Sequence, residues 1–304
     1  MPLVRDLSSR ARFRLTGPDR VRFLHGMVTS DVEALAPGEG GRAAMLTVKG
    51  KLLADLQIYA DEDALTLELD GELRTKIHDV LERHLVMDDV EIEDLGDRTR
   101  ELGVFGDDAR AALERAFAAD LGALAPYHHR IINETRIAGA PELALPGFHV
   151  IGAALPALDG TPLSDDAWEI LRVEAGTPRY GVDMEEDRLV LEANLDDAVS
   201  LTKGCYLGQE VVARATARGH INRKLRGLLL DGSTPIARGS KISAPAREDA
   251  GHVTSSVVSP RLGPIALAYV HRTVWDPGTE LVVHDPSGDR KARVSDLPFR
   301  PTAA

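Results

Sequence analysis

The amino-acid sequence predicts an α+β fold that ends in a small β-barrel. Strand-like and helix-like stretches alternate up to about residue 220, without the glycine-rich phosphate loop of a dinucleotide-binding fold. From about Ile221 onward the helical patterns stop. Short apolar runs then recur between turn clusters, at 225–230, 252–258, 265–270 and 280–284. We therefore expect an α+β region over 1–220 and a barrel over 221–304.

The first part of the α+β region is predicted from local patterns. We expect a strand over 11–15 and a helix over 21–27, with Asp19 as its N-cap. Two strands, 43–48 and 52–59, flank a turn at Gly50, and a further strand covers 65–69. The spacing of apolar residues predicts a helix over 72–84. An inner subdomain is expected at about 43–97.

The second part, about 98–220, shows weaker signals. We expect a strand over 99–105, a helix over 107–117, and an irregular stretch that contains one strand near 148–151. His128 and His129 lack nearby acids or cysteines at metal-ligand spacing, so a loop pair is the favoured interpretation. Residues 88–97 suit a solvated strand and turn. Ser164 and Gly176 mark the start and the end of a helix.

Composition excludes several classes of function. A single cysteine, Cys205, rules out an internal disulfide, a structural zinc site and a cluster held by four cysteines of one chain, and no metal site is expected. The net charge of −12 argues against extended nucleic-acid binding. No segment approaches the roughly 20 apolar residues that cross a bilayer, so we expect no membrane span and a cytoplasmic location.

One region departs from the acidic average. Six basic residues with no acid among them lie between 214 and 226: Arg214, Arg218, His220, Arg223, Lys224 and Arg226. They are either a solvated face or a local site for an anionic group.

The single cysteine lies between two glycines. Its segment is Lys203-Gly204-Cys205-Tyr206-Leu207-Gly208-Gln209-Glu210, just ahead of an apolar, helix-capable run. A helix that begins near Leu207 would favour the thiolate through its N-terminal N–H groups, and Lys203 would add a cation. The alternative is a small buried hydrophobic residue, because free cysteine is among the most buried residue types.

Two carboxylates are further candidates. Glu174 lies in the last turn of the helix that ends at Gly176, where it opposes the helix dipole. It is either an exposed side chain or a carboxylate held for a ligand with paired N–H donors. In the strand over 52–59, alternation places Asp55 on the same face as Tyr59 and predicts that Asp55 faces solvent.

These segments together resemble a known family. The string around Cys205 is similar to the signature of the YgfZ family, folate-binding relatives of the glycine-cleavage T-protein that are linked to iron–sulfur enzyme maturation. The run from Leu171 to Gly176 resembles the LRxEAG run of both groups, and Gly50 to Leu56 resembles the T-protein segment GGxxxDL. The resemblance implies three domains, with ferredoxin-like α+β subdomains and a barrel, around a central folate channel.

The same resemblance implies site residues. Glu174 matches the pterin-recognising glutamate, Asp55 the catalytic aspartate beside the folate nitrogen, and Tyr59 an aromatic that contacts folate. Lys203 is expected to contact folate as well, and Cys205 to react. The basic run after the cysteine motif adds Arg214, or alternatively Arg223, as a contact for the anionic tail of folate. Lys51 and Ala54 depart from the T-protein pattern, which weakens the expectation of aminomethyl transfer.

Two functions follow from the resemblance. The first is a tetrahydrofolate-binding protein that acts with an iron–sulfur enzyme or cluster carrier in cluster assembly or repair, and thereby in tRNA modification. The second is a folate-dependent one-carbon transferase, aminomethyltransferase-like or demethylating, in which Asp55 assists the transfer.

Overall fold

A computed structural model of the protein describes residues 1–218 and 221–300. The chain forms two compact units, and each unit is built from more than one segment of the sequence. The first unit comprises 1–141, 145–163 and 196–211, and the second comprises 142–144, 164–195 and the residues from 212 onward. His220 and the predicted boundary after it fall at residues outside the described part.

The helices lie at or near their predicted positions. Their bounds are α1 (Arg20–Met27), α2 (Arg74–His84), α3 (Ala109–Phe117), α4 (Asp165–Ala175) and α5 (Gln209–Arg218). Asp19 precedes α1 as expected, but its side chain does not cap the helix. The carboxylate instead accepts the Asp89 N–H at 2.9 Å and so fixes the loop before the sheet strand at Glu91. None of the helices in the described residues is both long and apolar enough to cross a membrane.

Two sheets build the first unit. Its strands are β1 (Leu3–Asp6), β2 (Ala11–Thr16), β3 (Gly40–Leu46), β4 (Leu52–Ala60), β5 (Leu65–Leu69), β6 (Glu91–Asp94), β7 (Arg100–Phe105), β8 (His129–Ile132), β9 (Thr135–Gly139), β10 (Gly147–Gly152) and β11 (Thr161–Pro162). One sheet has the order β3-β4-β5-β2-β6 and the other the order β11-β1-β7-β10-β9-β8. The sequence predicted β4 and β5 closely and missed β1.

The β8–β9 hairpin corrects the irregular stretch that the sequence predicted. His129 begins β8 and pairs with Ala138 of β9. The two turn residues, Asn133 and Glu134, have φ values of 48° and 60°, the left-handed pair of a tight two-residue hairpin. A glutamate at such a position gives no turn signal, which explains why the sequence did not predict the hairpin.

A closed barrel dominates the second unit. Its strands are β12 (Arg223–Leu230), β13 (Lys241–Ala244), β14 (Arg247–Ser259), β15 (Gly263–His271), β16 (Glu280–Asp285) and β17 (Gly288–Ser295), in the order β12-β15-β14-β13-β16-β17. The predicted α+β class with a C-terminal barrel is therefore confirmed. The barrel core is apolar, and Leu228, Val270 and Val283 are each 0 % exposed.

The helix that carries Glu174 has the predicted ends. The Ser164 side chain accepts the Ala167 N–H at 3.3 Å, and Gly176 ends α4 with a φ of 75°. A Cβ on Gly176 would approach the Leu297 Cβ to 2.7 Å, so glycine is required for space as well as for conformation.

Candidate functional site

The cysteine loop is fastened to the end of α1 by Lys203. The Lys203 ammonium donates to three backbone carbonyls, those of His25 at 2.5 Å, Val28 at 2.8 Å and Ser30 at 2.8 Å. An ammonium has three N–H donors, so all of them are used. The structure therefore gives Lys203 the task of holding the loop, and the predicted contact with a folate anion finds no free donor.

Burial of the Lys203 ammonium also changes its pKa. Burial lowers the pKa of Lys203 to about 8, and the nearby Asp31 and Glu33 carboxylates oppose that shift. The ammonium also lies 5.0 Å from the centroid of the Tyr206 ring, whose residue is only 9 % exposed. Tyr206 thus packs inward beneath the loop, while the lysine ties the loop from one end.

The far end of the loop is tied to the same helix. The Leu207 N–H donates to the Gly26 carbonyl at 3.0 Å. Gly208 follows with a φ of 82°, and a Cβ there would approach the Thr47 carbonyl oxygen to 2.5 Å. Gly208 therefore permits close contact with the turn between β3 and β4, and the second glycine of the motif serves packing.

Gln209 and Glu210 open α5. The Gln209 side-chain oxygen accepts the Tyr206 N–H at 3.3 Å, and Glu210 is exposed in the first helical turn. Cys205 lies four residues before the helix begins, farther from its N–H groups than the sequence predicted. Cys205 is exposed, so the alternative of a small buried hydrophobic residue is wrong.

Asp55 is paired inside the first unit. Both of its carboxylate oxygens accept from Arg42, at 2.8 Å from Nε and 2.7 Å from Nη2. The Asp55 side chain is 19 % exposed, so the expectation that it faces solvent is wrong. Burial would lower the pKa of Arg42, but the charge and hydrogen bonds of Asp55 outweigh burial and raise it.

The sequence analysis missed Arg42, which lies one residue before the strand predicted over 43–48. In the register of β3 and β4, Ala44 lies opposite Asp55 and Arg42 opposite Gln57. Arg42 is thus a diagonal neighbour of Asp55 on the same face, within reach of a long side chain.

Tyr59 is enclosed by side chains of the first unit, and its contact with folate stays a prediction. The residue is 0 % exposed, and its hydroxyl donates to Gln57 at 2.6 Å, with Glu68 at 3.1 Å. The Arg136 guanidinium lies 5.0 Å from the ring centroid and His129 meets the ring edge-on at 5.6 Å. In this arrangement the ring of Tyr59 lies against Arg136 and His129.

A buried charged cluster joins the two sheets of the first unit. His149 Nδ1 lies 3.4 Å from a Glu68 oxygen and 3.2 Å from a Glu101 oxygen. Arg10 pairs with Glu68, and Arg12 donates to Glu101 at 2.9 Å. Both glutamates are 0 % exposed. The sequence gave no sign of this cluster, because its members come from separate strands of two sheets.

The cluster contains ligand types for a metal ion, but its charges favour a proton. Its histidine nitrogen and two carboxylate oxygens lie within 4.8 Å of one another. Arg10 and Arg12 already bring two positive charges to the same carboxylates, so a divalent cation would leave a large net charge buried. Burial and the charge of Glu68 raise the pKa of Glu101 to about 8, and the group therefore holds a proton at neutral pH.

His129 lies on β8 and contacts an acid, contrary to the expected loop pair. Its Nε2 lies 3.0 Å from Asp61, which Arg136 contacts at 2.5 Å. Burial lowers the pKa of His129, although Asp61 opposes the shift. Asp61 lies in the turn after β4, so tertiary structure supplies the acid that sequence spacing did not.

Glu174 is buried in the second unit. The residue is 5 % exposed, so the alternative of an exposed carboxylate is wrong. One oxygen accepts from Ser259 Oγ at 2.5 Å, and the other accepts from Arg261. The Arg261 guanidinium offsets the unfavourable position of Glu174 at the end of α4. Ser259 and Arg261 therefore occupy both Glu174 oxygens, where the sequence analysis expected the paired N–H donors of a ligand.

Arg214 is the other predicted site residue of the second unit. Unlike Glu174, it has an exposed side chain, which lies on α5. A cavity of about 110 Å³ is lined by residues of both charges, among them Asp183, Arg188, Arg238 and His252. Asp55, Tyr59, Lys203 and Cys205 thus belong to the first unit, whereas Glu174 and Arg214 belong to the second.

Comparison with known proteins places the chain in a family. Residues 3–146 match the GCVT N-terminal domain, and residues 223–300 match the glycine cleavage T-protein C-terminal barrel domain. An aminomethyltransferase of Rubrobacter xylanophilus is 32 % identical over 97 % of this chain and 82 % of its own length. A putative chloroplast transferase of Arabidopsis thaliana is 28 % identical over 98 % of this chain and 71 % of its own length.

A solved structure agrees with the fold. The crystal structure of the glycine cleavage system aminomethyltransferase T from Bartonella henselae superposes with a TM-score of 0.86. The superposition covers 99 % of this chain and 86 % of that one, at 22 % identity. By sequence and by fold, the chain belongs to the glycine-cleavage T-protein family.

Proposed function

We propose that this protein binds tetrahydrofolate and uses Cys205 in thiol chemistry with a partner protein during the assembly or repair of iron–sulfur clusters. One observation carries the proposal: the exposed Cys205 lies on a loop that the Lys203 ammonium ties to three carbonyls of α1 and the residues after it. Desolvation of an ammonium is costly, so a loop built at this cost favours a functional thiol over an incidental one.

The partner class follows from the single cysteine. One thiol cannot hold a cluster by itself, so the cluster belongs to an iron–sulfur enzyme or to a carrier. Through such enzymes the protein would support tRNA modification in the cytoplasm. With a net charge of −12, it would do so without an extended nucleic-acid surface of its own.

Replacement of the thiol tests the proposal. Cys205→Ser should fold normally yet fail to support a cluster-dependent tRNA methylthiolation enzyme, measured as modified tRNA in cells that carry only the variant. Thr202→Ala, an exposed change in the same loop, is the matched control and should retain support. Full support by Cys205→Ser would contradict the proposal.

The folate part of the proposal concerns Glu174. A pterin would take the place of Ser259 and Arg261 at the Glu174 carboxylate, since it offers two parallel N–H donors. Glu174→Ala should weaken tetrahydrofolate binding by about 1–3 kcal/mol in calorimetric titration. Asp166→Ala, on the exposed first turn of α4, should leave the affinity unchanged. Equal affinity of both variants would remove Glu174 from the site.

Arg214 is the proposed contact for the glutamate tail of folate. Exposed charge pairs are screened by salt, so the affinity should fall as ionic strength rises. Arg214→Gln should bind more weakly at low salt and lose most of this salt dependence. A flat salt response in the unaltered protein would return Arg214 to the solvated face.

A second candidate is folate-dependent one-carbon transfer at Asp55. The names of the similar bacterial proteins favour it, because several are aminomethyltransferases. The two hydrogen bonds from Arg42 argue against it, because they occupy both carboxylate oxygens of Asp55. Transfer of an aminomethyl carbon to tetrahydrofolate that is lost in Asp55→Asn and kept in Cys205→Ser would favour this candidate over the first.

A further inference from the structure

A serine, a histidine and an aspartate form a chain of hydrogen bonds on the barrel. Ser243 Oγ lies 2.7 Å from His284 Nε2, and His284 Nδ1 lies 2.8 Å from an Asp289 oxygen. The three residues come from β13, β16 and β17, which are neighbours in the barrel. The side chains of His284 and Asp289 are 45 % and 66 % exposed, so a molecule in solution reaches this chain.

The carboxylate decides which nitrogen of the ring carries the proton. An ionised carboxylate only accepts hydrogen bonds, so the His284 Nδ1 atom beside Asp289 is the protonated one. Nε2 then has a lone pair, and the Ser243 hydroxyl donates to it. A hydroxyl that donates to an imidazole, which in turn donates to a carboxylate, is the arrangement that activates a serine as a nucleophile.

Strand pairing holds the three side chains in this geometry. His284 and Asp289 are direct partners in the register of β16 and β17. Ser243 lies opposite Val282 and is therefore a diagonal neighbour of His284 on the same face. The adjacent Val283 belongs to the barrel core, so alternation directs His284 outward.

The sheet is irregular beside the serine. The register between β13 and β14 shifts between Ile242 and Ala244. Among the described residues of β14, none is the direct register partner of Ser243. Irregularities of this kind redirect side chains and are frequent next to active sites.

The end of the β16–β17 hairpin is fixed by a second carboxylate. Asp285 accepts from the Ala237 N–H at 2.7 Å and from the Ser287 N–H at 2.9 Å. These bonds hold the turn between His284 and Asp289, so both side chains are positioned by a braced segment. Such bracing is what keeps a reactive group in one geometry.

Two lysines lie beside the chain on the same face. Lys241 is the register partner of His284, and Lys291 follows Asp289 by two residues on β17. Both lysines are exposed. They bring positive charge to the site, which is the sign that stabilises the oxyanion of an acyl-transfer reaction.

We propose that Ser243, His284 and Asp289 form a site that hydrolyses carboxylic esters. The Ser243 O–H bond breaks, its proton moves to His284 Nε2, and Oγ bonds to the acyl carbon. The ester C–O bond then breaks, and the leaving alcohol takes the proton from the imidazolium. Water attacks the acyl-serine along the same proton path, which releases the carboxylic acid and restores the serine. Asp289 is a positioning residue, because it holds Nε2 toward the hydroxyl.

Hydrolysis of p-nitrophenyl acetate tests this activity in the full chain, in a Cys205→Ser background so that the thiol does not consume the ester. Ser243→Ala and His284→Gln should each lower the rate about hundredfold, the lower range of general base catalysis. His271→Gln is the matched control and should leave the rate unchanged, because that imidazole contacts the Thr273 hydroxyl at 3.0 Å on the same barrel. A rate in Ser243→Ala equal to that of the parent protein would overturn the inference.

A labelling experiment identifies the nucleophile directly. A fluorophosphonate should bond to Ser243 Oγ with release of fluoride, and peptide mass spectrometry should find the label on that serine. A label on other residues, or no label, would contradict the inference. Ser243→Ala should still support cluster-dependent enzymes, so failure of this inference and failure of the proposed function are separate results.

The positioning role of Asp289 has its own measurement. Asp289→Asn should lower the rate and move its pH profile to lower pH, because the imidazolium loses a neighbouring negative charge. Asp289→Glu should restore part of the rate. An aspartate that only stabilises the hairpin would leave the pH profile unchanged, and that result would remove Asp289 from the site.

Discussion

The interior of the first unit and the interior of the barrel are stabilised in different ways. Between the two sheets of the first unit, Arg12, Glu68 and Glu101 are each 0 % exposed. Arg12 pairs with Glu101, and His149 lies beside both glutamates. Inside the barrel, the equivalent space is filled by aliphatic side chains such as Leu228 and Val283. One interior depends on charge pairing and the other on apolar area.

The difference has consequences for specificity and for pH. A buried ion cluster contributes little net stability when intact, but removal of one member leaves an uncompensated charge. An apolar core loses stability in proportion to the volume removed and has no proton to exchange. The first unit should therefore respond sharply to charge and pH, and the barrel to volume alone.

The largest effect is expected at Arg12. Arg12→Met keeps the length of the side chain but leaves the Glu101 carboxyl and the Ser8 and Thr99 carbonyls without their donor, which should cost about 1–3 kcal/mol for each buried group left unpaired. Hydrogen exchange of β2 and β5 amides reports this loss in the first unit. Both tryptophans, Trp168 and Trp275, lie in the second unit, so their fluorescence separately follows the barrel side.

The barrel provides the apolar counterpart. Leu228→Ala should destabilise the second unit by about 2–5 kcal/mol through lost burial and the cavity left behind. Tryptophan fluorescence in urea measures the change, which should be the same at acidic and neutral pH. A strong pH dependence of this loss would break the distinction between the two interiors.

A pH-dependent effect is expected from Glu101→Gln. The pKa of Glu101 is raised to about 8 from an ordinary 4.5, so across this window the folded state holds a proton that the unfolded state releases. The free energy of unfolding should fall as pH rises from about 4.5 to 8, by at most about 1.4 kcal/mol per pH unit. The pKa of Glu68 is lowered because Arg10 and His149 outweigh burial, so Glu68 changes the free energy of unfolding only at pH values below about 4.5.

Measurement of amide exchange in the first unit at two pH values checks this slope. Glutamine cannot release a proton, so Glu101→Gln should flatten the response above about pH 5. A slope equal to that of the unaltered protein would locate the pH response outside the cluster.

The smallest effect is expected at Arg14, a matched control for Arg12. Both arginines lie on β2, two residues apart and therefore on the same face. Arg14 pairs with Asp63 at 3.4 Å, with side chains 38 % and 79 % exposed. Arg14→Ala should change the free energy of unfolding by no more than about 0.5 kcal/mol, because water already solvates that pair. A loss as large as that of Arg12→Met would contradict the role of burial.

Sequence alone determined much of the fold and the identity of the motif. The helix that carries Glu174 was predicted because its serine cap and glycine stop act within a few residues. The β3–β4 hairpin, α1, α3 and four barrel strands followed from local periodicity in the same way. Cys205 was singled out because one thiol between two glycines is visible in any sequence.

Tertiary structure alone decided what each candidate side chain contacts. Arg42 pairs with Asp55, Arg261 pairs with Glu174, and Lys203 donates to backbone carbonyls at the end of α1. The charged cluster around Glu101 and the approach of His25 to the loop also join residues far apart in the chain. Periodicity gives the face of a strand or helix, but only packing decides what covers that face, and so whether a carboxylate meets water, an arginine or a ligand.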